Sequence, residues 1–416
     1  MLARASAVQH ADPESFHRER IAPARYPESM APFSFRLSHR DGDARRGEMQ
    51  TPHGSIQTPA FMPVGTRGAV KGVTMRQLEE VGAEIILGNT YHLYLKPGDS
   101  LIARSGGLHR FIGWDRPILT DSGGYQIFSL AEMRRIREEG SEFRSHLDGS
   151  LHMLTPERAT DIQAQLGSDI AMVLDECIAT PAPLAAAREA MERSVRWARR
   201  ARTRFLQLKD PDGRPPGVTV TNPGQAQFGI IQGGIHLELR TESVERTVDI
   251  GFDAFAIGGL SVGEPADVMY DVAGHVARQL PLDRPRYLMG TGMPDDLIES
   301  VARGIDLFDC VLPTRNARNG QLFTRSGPLS IKNARFAEDT GPPDPDCPCY
   351  TCTRCSRAYL RHLFMAGEMT GSTLNTVHNL FFYLDTMRRI REAILFGTFE
   401  KLRQEFRQTY SRRPHH

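Results

Sequence analysis

Continuous apolar runs of five to seven residues recur along this chain, separated by longer segments in which apolar residues return every three or four positions. Eight such runs follow residue 60: Phe61–Thr66, Glu84–Asn89, Pro117–Asp121, Asp169–Asp175, Phe228–Gln232, Ala254–Gly258, Arg286–Gly290 and Leu307–Val311. Helical spacing marks Thr74–Val81, Thr155–Leu166, Pro183–Leu206 and Pro265–Leu280, the second opened by Thr155-Pro156 with Glu157 in its first turn. Unbroken apolar runs predict strands buried on both faces, and the amphipathic segments between them predict helices covering a parallel sheet. Eight such units in about 250 residues predict an α/β chain closed into a (β/α)8 barrel rather than an open doubly wound sheet.

The ends of the runs carry polar and glycine residues in phase. The third ends in Asp121-Ser122-Gly123-Gly124-Tyr125-Gln126 and the fourth in Asp175-Glu176-Cys177. The fifth ends in Gln232-Gly233-Gly234, the sixth in Gly258-Gly259-Leu260 and the seventh in Gly290-Thr291-Gly292, while the eighth carries Asp309. In a parallel barrel these ends meet at one rim, where active sites are built. Glycines there let a flat ligand approach backbone N–H groups without a Cβ in the way. The stretch Ile305–Arg318 adds a carboxylate followed at once by a basic loop. The carboxylate offers a nucleophile or base, and the loop a grip on phosphates or base edges.

After the eighth run, Asp344–Cys355 reads DPDCPCYTCTRC and crowds Cys347, Cys349, Cys352 and Cys355 into nine residues. Disulfides between such near neighbours would be strained, so zinc ligation is expected, with three thiolates and a fourth ligand among Cys355, His362 and His378. No open coordination position is evident, which makes the site structural. A C-terminal helical region, Thr373–Arg407, would be pinned to the barrel through His378.

Composition adds limits. The 416 residues include 40% hydrophobic and 24% charged side chains and carry a net charge of +1, so a nucleic-acid partner must be held by a local patch. One is present: from Pro313 to Ala337 there are five basic residues (Arg315, Arg318, Arg325, Lys332, Arg335) and no acidic one. No run of about 18 apolar residues occurs, so no membrane partner is expected. Residues 1–32 lack periodicity and an apolar signal core and are expected to be a flexible extension. Residues 33–416 form the second expected unit, with a zinc-binding subdomain over about 338–416.

DSGGYQ at 121–126, DEC at 175–177, QGG at 232–234, GGLSVGE at 258–264, DCVLPTRNAR at 309–318 and CPCYTC followed by His378 identify a family. In order and spacing they resemble the tRNA-guanine transglycosylases, from about Phe33 onward. That resemblance implies a zinc-containing barrel that exchanges guanine at the anticodon wobble position for a 7-deazaguanine, without an organic cofactor. It implies Asp309 as nucleophile and Asp121 as general acid/base, with Asp175, Gln232 and the Gly259 N–H reading the base between Tyr125 and Met289. Ser122, Gly123, Gly124 and Leu260 complete the implied base site. Gly290, Thr291, Gly292, Met293, Pro294, Asp295 and Asp296, with Thr314, Arg315, Asn316, Ala317 and Arg318, are the implied anticodon-loop contacts. The implied zinc ligands are Cys347, Cys349, Cys352 and His378, which leaves Cys355 as an extra thiol.

Val262, where eukaryotic members resemble one another in having glycine, and Cys177 favour the bacterial branch and the small base 7-aminomethyl-7-deazaguanine. In that branch the Leu260 carbonyl would accept from the aminomethyl group, steadied by Glu264. The archaeal branch carries extra C-terminal RNA-binding domains, which are not expected here. A cytoplasmic homodimer is the implied state. The rivals are a queuine-inserting enzyme of eukaryotic type, a non-catalytic tRNA-binding subunit, and a barrel glycosidase using the same two carboxylates. Asp121 together with Asp309 disfavours the second, and the basic stretch with the guanine-shaped set Asp175, Gln232 and Gly259 disfavours the third.

Overall fold

Each of the eight apolar runs forms a strand, at Ala60–Gly65, Ile86–Gly88, Ile118–Thr120, Ile170–Met172, Ala226–Ile231, Ala254–Ile257, Arg286–Leu288 and Leu307–Cys310. In the computed structural model, which describes residues 33–130 and 134–410, these strands close into one parallel barrel. The eighth pairs with the first through Leu307 opposite Ala60 and Asp309 opposite Met62. The strands are buried along their length because helices cover the outside, where Phe61 meets Tyr383, and side chains such as Met62, Phe228 and Leu307 fill the inside. The extension expected over residues 1–32 lies outside the described residues.

The helices begin and end where local chemistry dictates. Thr155 caps Pro156–Leu166 by accepting from the Arg158 N–H at 3.1 Å, and Gly167 at φ 69° ends it. Thr74 and Gln77 cap Met75–Glu80 reciprocally. The C-terminal helical region is two helices, Met369–Leu395 and Phe399–Tyr410, broken at Gly397 with φ 67°. The basic stretch after the eighth strand is likewise not a loop. It folds as a helix, Leu312–Arg318, and a hairpin of Gln321–Thr324 with Gly327–Ser330.

Two antiparallel sheets were not expected. Ser34–Asp41, Ala44–Thr51 and Gly54–Thr58 form one, and Arg134–Ile136, Ser141–Arg144 and Leu151–Leu154 form the other between the third and fourth barrel strands. The buried positions of Ala44–Thr51 hold Arg45, Gly47 and Thr51 beside Ala44 and Met49, so the chain does not alternate in hydrophobicity. In the second sheet only Ser141, Phe143 and Leu154 are buried.

The first sheet is bound to the barrel floor by charge. Buried Arg45 places Nε 3.3 Å from Asp306 and donates to the carbonyls of Leu282 and Arg284. At the turn after Ala44–Thr51, Asp169 accepts from His53 Nδ1 at 2.7 Å, His109 Nε2 at 2.9 Å and the backbone N–H groups of His53 and Ile118. Burial opposes ionisation of Asp169, yet these partners bring its pKa down to about 2. The two imidazoles stack 3.5 Å apart, and every contact has hydrogen-bond length, so the group is a polar clamp. At the other flank Glu299 receives Arg303, Arg403 and Arg407, tying Phe399–Tyr410 to the helix Pro294–Val301.

Among the described residues no helix is long and apolar enough to cross a membrane. Replacing Asp169 by alanine removes the acceptor of four donors, those of His109 and Ile118 buried, and should cost about 3 kcal/mol, read as a lower urea midpoint at unchanged slope.

Candidate active site

The C-terminal strand ends enclose a cavity of about 420 Å³ whose wall includes Asp121, Asp175, Gly259, Leu260, Met289 and Asp309. Each carboxylate is held by a residue from the adjacent strand end. Asn89, at the end of the second strand, donates to Asp121 Oδ2 from its side chain, and the Thr90 N–H donates to Oδ1 at 2.9 Å. Gln126 adds a bond to Oδ2 at 2.9 Å. Gln232, ending the fifth strand, donates to Asp175 Oδ2 at 2.7 Å. Tyr287, on the seventh, donates its hydroxyl to Asp309 Oδ1 at 2.5 Å, and the Gly290 N–H reaches the same oxygen at 2.8 Å.

These donors favour the ionised forms but do not outweigh desolvation. Burial, with repulsion from Asp309, pushes Asp121 up to about 6 against donation by Asn89, Thr90 and Gln126. Burial also raises Asp175 to about 6 and moves Asp309 above the usual carboxylate range. A site of this kind can hold or release a proton near neutral pH and can keep a second carboxylate as a nucleophile.

Two glycines are set by close approach. A Cβ on Gly258 would lie 2.7 Å from Gln232 Nε2, and one on Gly259, whose φ is 66°, would lie 2.4 Å from Gln232 Oε1. Gln232 therefore packs behind the Gly258-Gly259 turn rather than on the cavity wall, with its amide engaged by Asp175. Ser261 holds φ 58° because Glu264 accepts from the Ser261 and Val262 N–H groups, which turns the Leu260 carbonyl to the other side of its trans peptide. Tyr125 is exposed and lines the cavity with Met289, while Ser122, Gly123 and Gly124 are buried beside Asp121.

The segments expected to meet RNA flank the cavity, with uneven exposure. Gly290, Met293 and Arg315 are exposed, and Asp295, Asp296, Asn316 and Arg318 are partly so. Thr291, Gly292, Pro294, Thr314 and Ala317 are buried, so side-chain contact from these five positions falls to their neighbours. Gly292 gives its carbonyl to the Tyr383 hydroxyl at 2.5 Å.

Cys347, Cys349, Cys352 and His378 converge, all buried, with their ligand atoms within 4.8 Å of one another. Cys355 and His362, the other candidates for the fourth position, are not in this group. His378 Nδ1 lies 3.8, 3.6 and 3.2 Å from the three sulfurs, and Nε2 donates to the Phe323 carbonyl at 2.8 Å. A tetrahedral zinc with ordinary bond lengths would place its imidazole nitrogen about 3.5 Å from each sulfur, so the residues fit the ion. The carbonyl fixes the tautomer that leaves Nδ1 as the ligand.

Asn89, Thr90, Gln126 and Tyr287 were not singled out in the sequence as partners of the carboxylates. Asn89 closes the second apolar run, so the strand-end rule could have found it, and Gln126 ends the DSGGYQ motif. Arg240, fully buried in the helix Leu237–Val248, donates to the carbonyls of Ile231, Gly234 and Gly258, and nothing in its local sequence signals this.

A family model described as queuine tRNA-ribosyltransferase matches residues 41–412. Proteins carrying that same name are similar along nearly their whole length. The one from Solidesulfovibrio magneticus is 53% identical over 380 residues, 91% of this chain and 98% of the relative. The Nitratidesulfovibrio vulgaris protein is 54% identical over 383 residues, with 91% and 98% covered. The Novosphingobium aromaticivorans protein is 54% identical over 381 residues, with 92% and 99% covered.

Two measurements test this geometry. The raised Asp121 pKa means that ionising it costs stability, a cost absent below its unfolded pKa near 4 and fully present above its folded value of about 6. Asp121→Asn removes that titration. Relative to wild type, its unfolding free energy should improve by about 2–3 kcal/mol between pH 4 and pH 8, measured by urea titration at each pH. His378→Ala should lower zinc below the one equivalent per chain expected for the wild type by elemental analysis, with a matching fall in thermal midpoint.

Proposed function

The chain belongs to the queuine tRNA-ribosyltransferase family, and from that premise we propose that it is a tRNA-guanine transglycosylase acting at wobble position 34. Its substrates are the GUN-anticodon tRNAs for Asp, Asn, His and Tyr, and the base it inserts is 7-aminomethyl-7-deazaguanine, a step of queuosine biosynthesis. The observation that carries this reading is the meeting of Asp121, Asp309 and Asp175 at one cavity, the first two suited to substitution at a ribose carbon and the third to a guanine edge.

Asp309 attacks ribose C1′ as the bond from C1′ to the guanine nitrogen breaks, and the bonding pair leaves with the base. Asp121 donates a proton to the departing guanine. The resulting aspartyl ester holds the tRNA in place. Asp121 then takes the ring N–H proton of the incoming base, whose nitrogen attacks C1′ and expels Asp309. Two displacements retain the configuration at C1′. Tyr287 and the Gly290 N–H would hold Asp309 as the leaving carboxylate in the second step.

Asp175 would accept from the base's N1–H and 2-amino group. Those donors would replace Gln232 on Asp175, freeing its amide for O6 beside the Gly259 N–H. Tyr125 and Met289 would sandwich the ring. Adenine would leave these groups unpaired. Val262 on the cavity wall supports a small base over queuine, and the Leu260 carbonyl, steadied by Glu264, supports an aminomethyl substituent. Exposed Arg315 with Asn316 and Arg318 would grip the neighbouring anticodon nucleotides, and the target nucleotide must leave the stack to be attacked. Zinc, one per subunit, would be structural, supplying the cross-link that its four ligands need in order to fold together. We further propose a cytoplasmic homodimer, in which a second copy would cover the exposed side chains of Tyr359, Met365 and Met369. As for domain limits, residues 33–416 would be one catalytic unit preceded by a separate extension.

Radiolabelled guanine should enter unmodified GUN-anticodon tRNA and not a G34→A tRNA, with 7-aminomethyl-7-deazaguanine blocking it and queuine not. Blocking by queuine would move the reading to the eukaryotic type. Asp309→Asn should abolish the covalent protein–RNA adduct on denaturing gels while leaving tRNA binding within about threefold, and an undiminished adduct would overturn the nucleophile.

A further inference from the structure

Arg240 is a buried cation whose bonded acceptors are all main-chain carbonyls. Its Nε donates to Gly234 O at 2.8 Å, and one Nη1 reaches both Ile231 O at 2.7 Å and Gly258 O at 2.9 Å. Its other terminal nitrogen, Nη2, has no hydrogen-bond partner among the described residues. Burial lowers its pKa to about 10, so it remains charged at neutral pH. A buried charge is expensive to desolvate, and here no carboxylate is bonded to it in return. Its placement therefore asks for a reason beyond packing.

The reason lies in the peptide it holds. Gly258 O and the Gly259 N–H belong to one trans peptide unit, so they point in opposite directions. Arg240 bonds the oxygen from outside the barrel rim, and Gly259 lines the cavity on the other side. The same guanidinium holds Ile231 O, which also accepts the Gly258 N–H at 3.1 Å, so the fifth and sixth strand ends are fixed together. A cation on the carbonyl polarises the amide and strengthens its N–H as a donor. Glycine at 259 takes φ 66° without strain but is equally free to leave it, so the contact selects this orientation.

We propose that Arg240 is a positioning residue for the purine carbonyl: through Gly258 O it aims and polarises the Gly259 N–H toward O6 of the bound base. Negative charge spreads onto that oxygen as the base leaves C1′ with the bonding pair, which is where a preorganised donor helps most. The inference rests on the reading that the cavity takes guanine with O6 at Gly259.

The test is a cycle of one side chain against one ligand atom. Inhibition constants for guanine and for 6-thioguanine, which keeps N1–H but carries a poor acceptor at position 6, are measured with wild type and Arg240→Met. Wild type should favour guanine about tenfold. In R240M the guanine constant should rise about tenfold and the 6-thioguanine constant by no more than two- to threefold, with tRNA KM unchanged within threefold. Equal weakening of both bases would mean that Arg240 serves only packing and would overturn the inference. A wild type indifferent to the sulfur would instead overturn the seating of O6 at Gly259. Should R240M not yield folded protein, Arg240→Lys carries the same cycle: a threefold or greater loss of discrimination supports the proposal, and unchanged discrimination overturns it.

Discussion

At the barrel rim, Asp121, Asp175 and Asp309 are each held by a side chain from the adjacent strand. Asn89 holds Asp121, Gln232 holds Asp175, and Tyr287 holds Asp309. Closure of eight parallel strands makes this arrangement available, because it puts every strand's last residue beside its neighbour's. A slip of one residue in any pairing would carry a holder away from its carboxylate and point it at the helices. The apolar barrel interior thereby fixes site geometry, since it sets the register that the polar rim then uses.

The same barrel treats buried charge in opposite ways at its two ends. On the floor, Asp169 is saturated by four donors and driven to about 2, so its charge serves cohesion. At the rim, Asp121 and Asp175 receive fewer or neutral donors and rise to about 6, leaving them poised rather than satisfied. Stability is thus concentrated where no ligand comes, and the reactive end carries its carboxylates at a cost. Asp306 lies on the floor near Arg45 and still rises to about 6, because desolvation there exceeds what Arg45, Arg286 and the Arg286 N–H return.

How much of this was legible in the sequence follows from how each element is stabilised. The barrel strands, buried on both faces, could only be apolar runs, and all eight were readable. Their ends exposed Asp121, Asp175, Gln232, Gly259 and Asp309 because rim position and strand end coincide. The sheet over Ser34–Thr58 was hidden because a buried Arg45 and a Gly47 packed under Phe35 stand where a pattern of apolar residues would be sought. The sheet over Arg134–Leu154 was hidden because it buries almost nothing. Arg240 was hidden for a different reason: its partners are backbone carbonyls brought close only by the fold, and no side-chain pairing announces it. Among the sulfur ligands the converse holds, for C-x-C-x2-C is local, and only the distant His378 had to be chosen from alternatives.

The helix Met369–Leu395 has a bearing on when the molecule becomes complete. His378 joins the thiolates, Asn379 donates to the carbonyls of Pro313 and Gln321, Asn375 reaches Ala317 O, and Tyr383 reaches Gly292 O. The hydrogen bonds that tie the helix Leu312–Arg318 and the Gly292 carbonyl to Met369–Leu395 therefore come from residues downstream of them in the chain. During synthesis the eight strands emerge first, carrying all three carboxylates, and the ties from Asn375, Asn379 and Tyr383 can form only once this helix leaves the ribosome. A nascent chain thus possesses its three carboxylates before the last contacts around them can close.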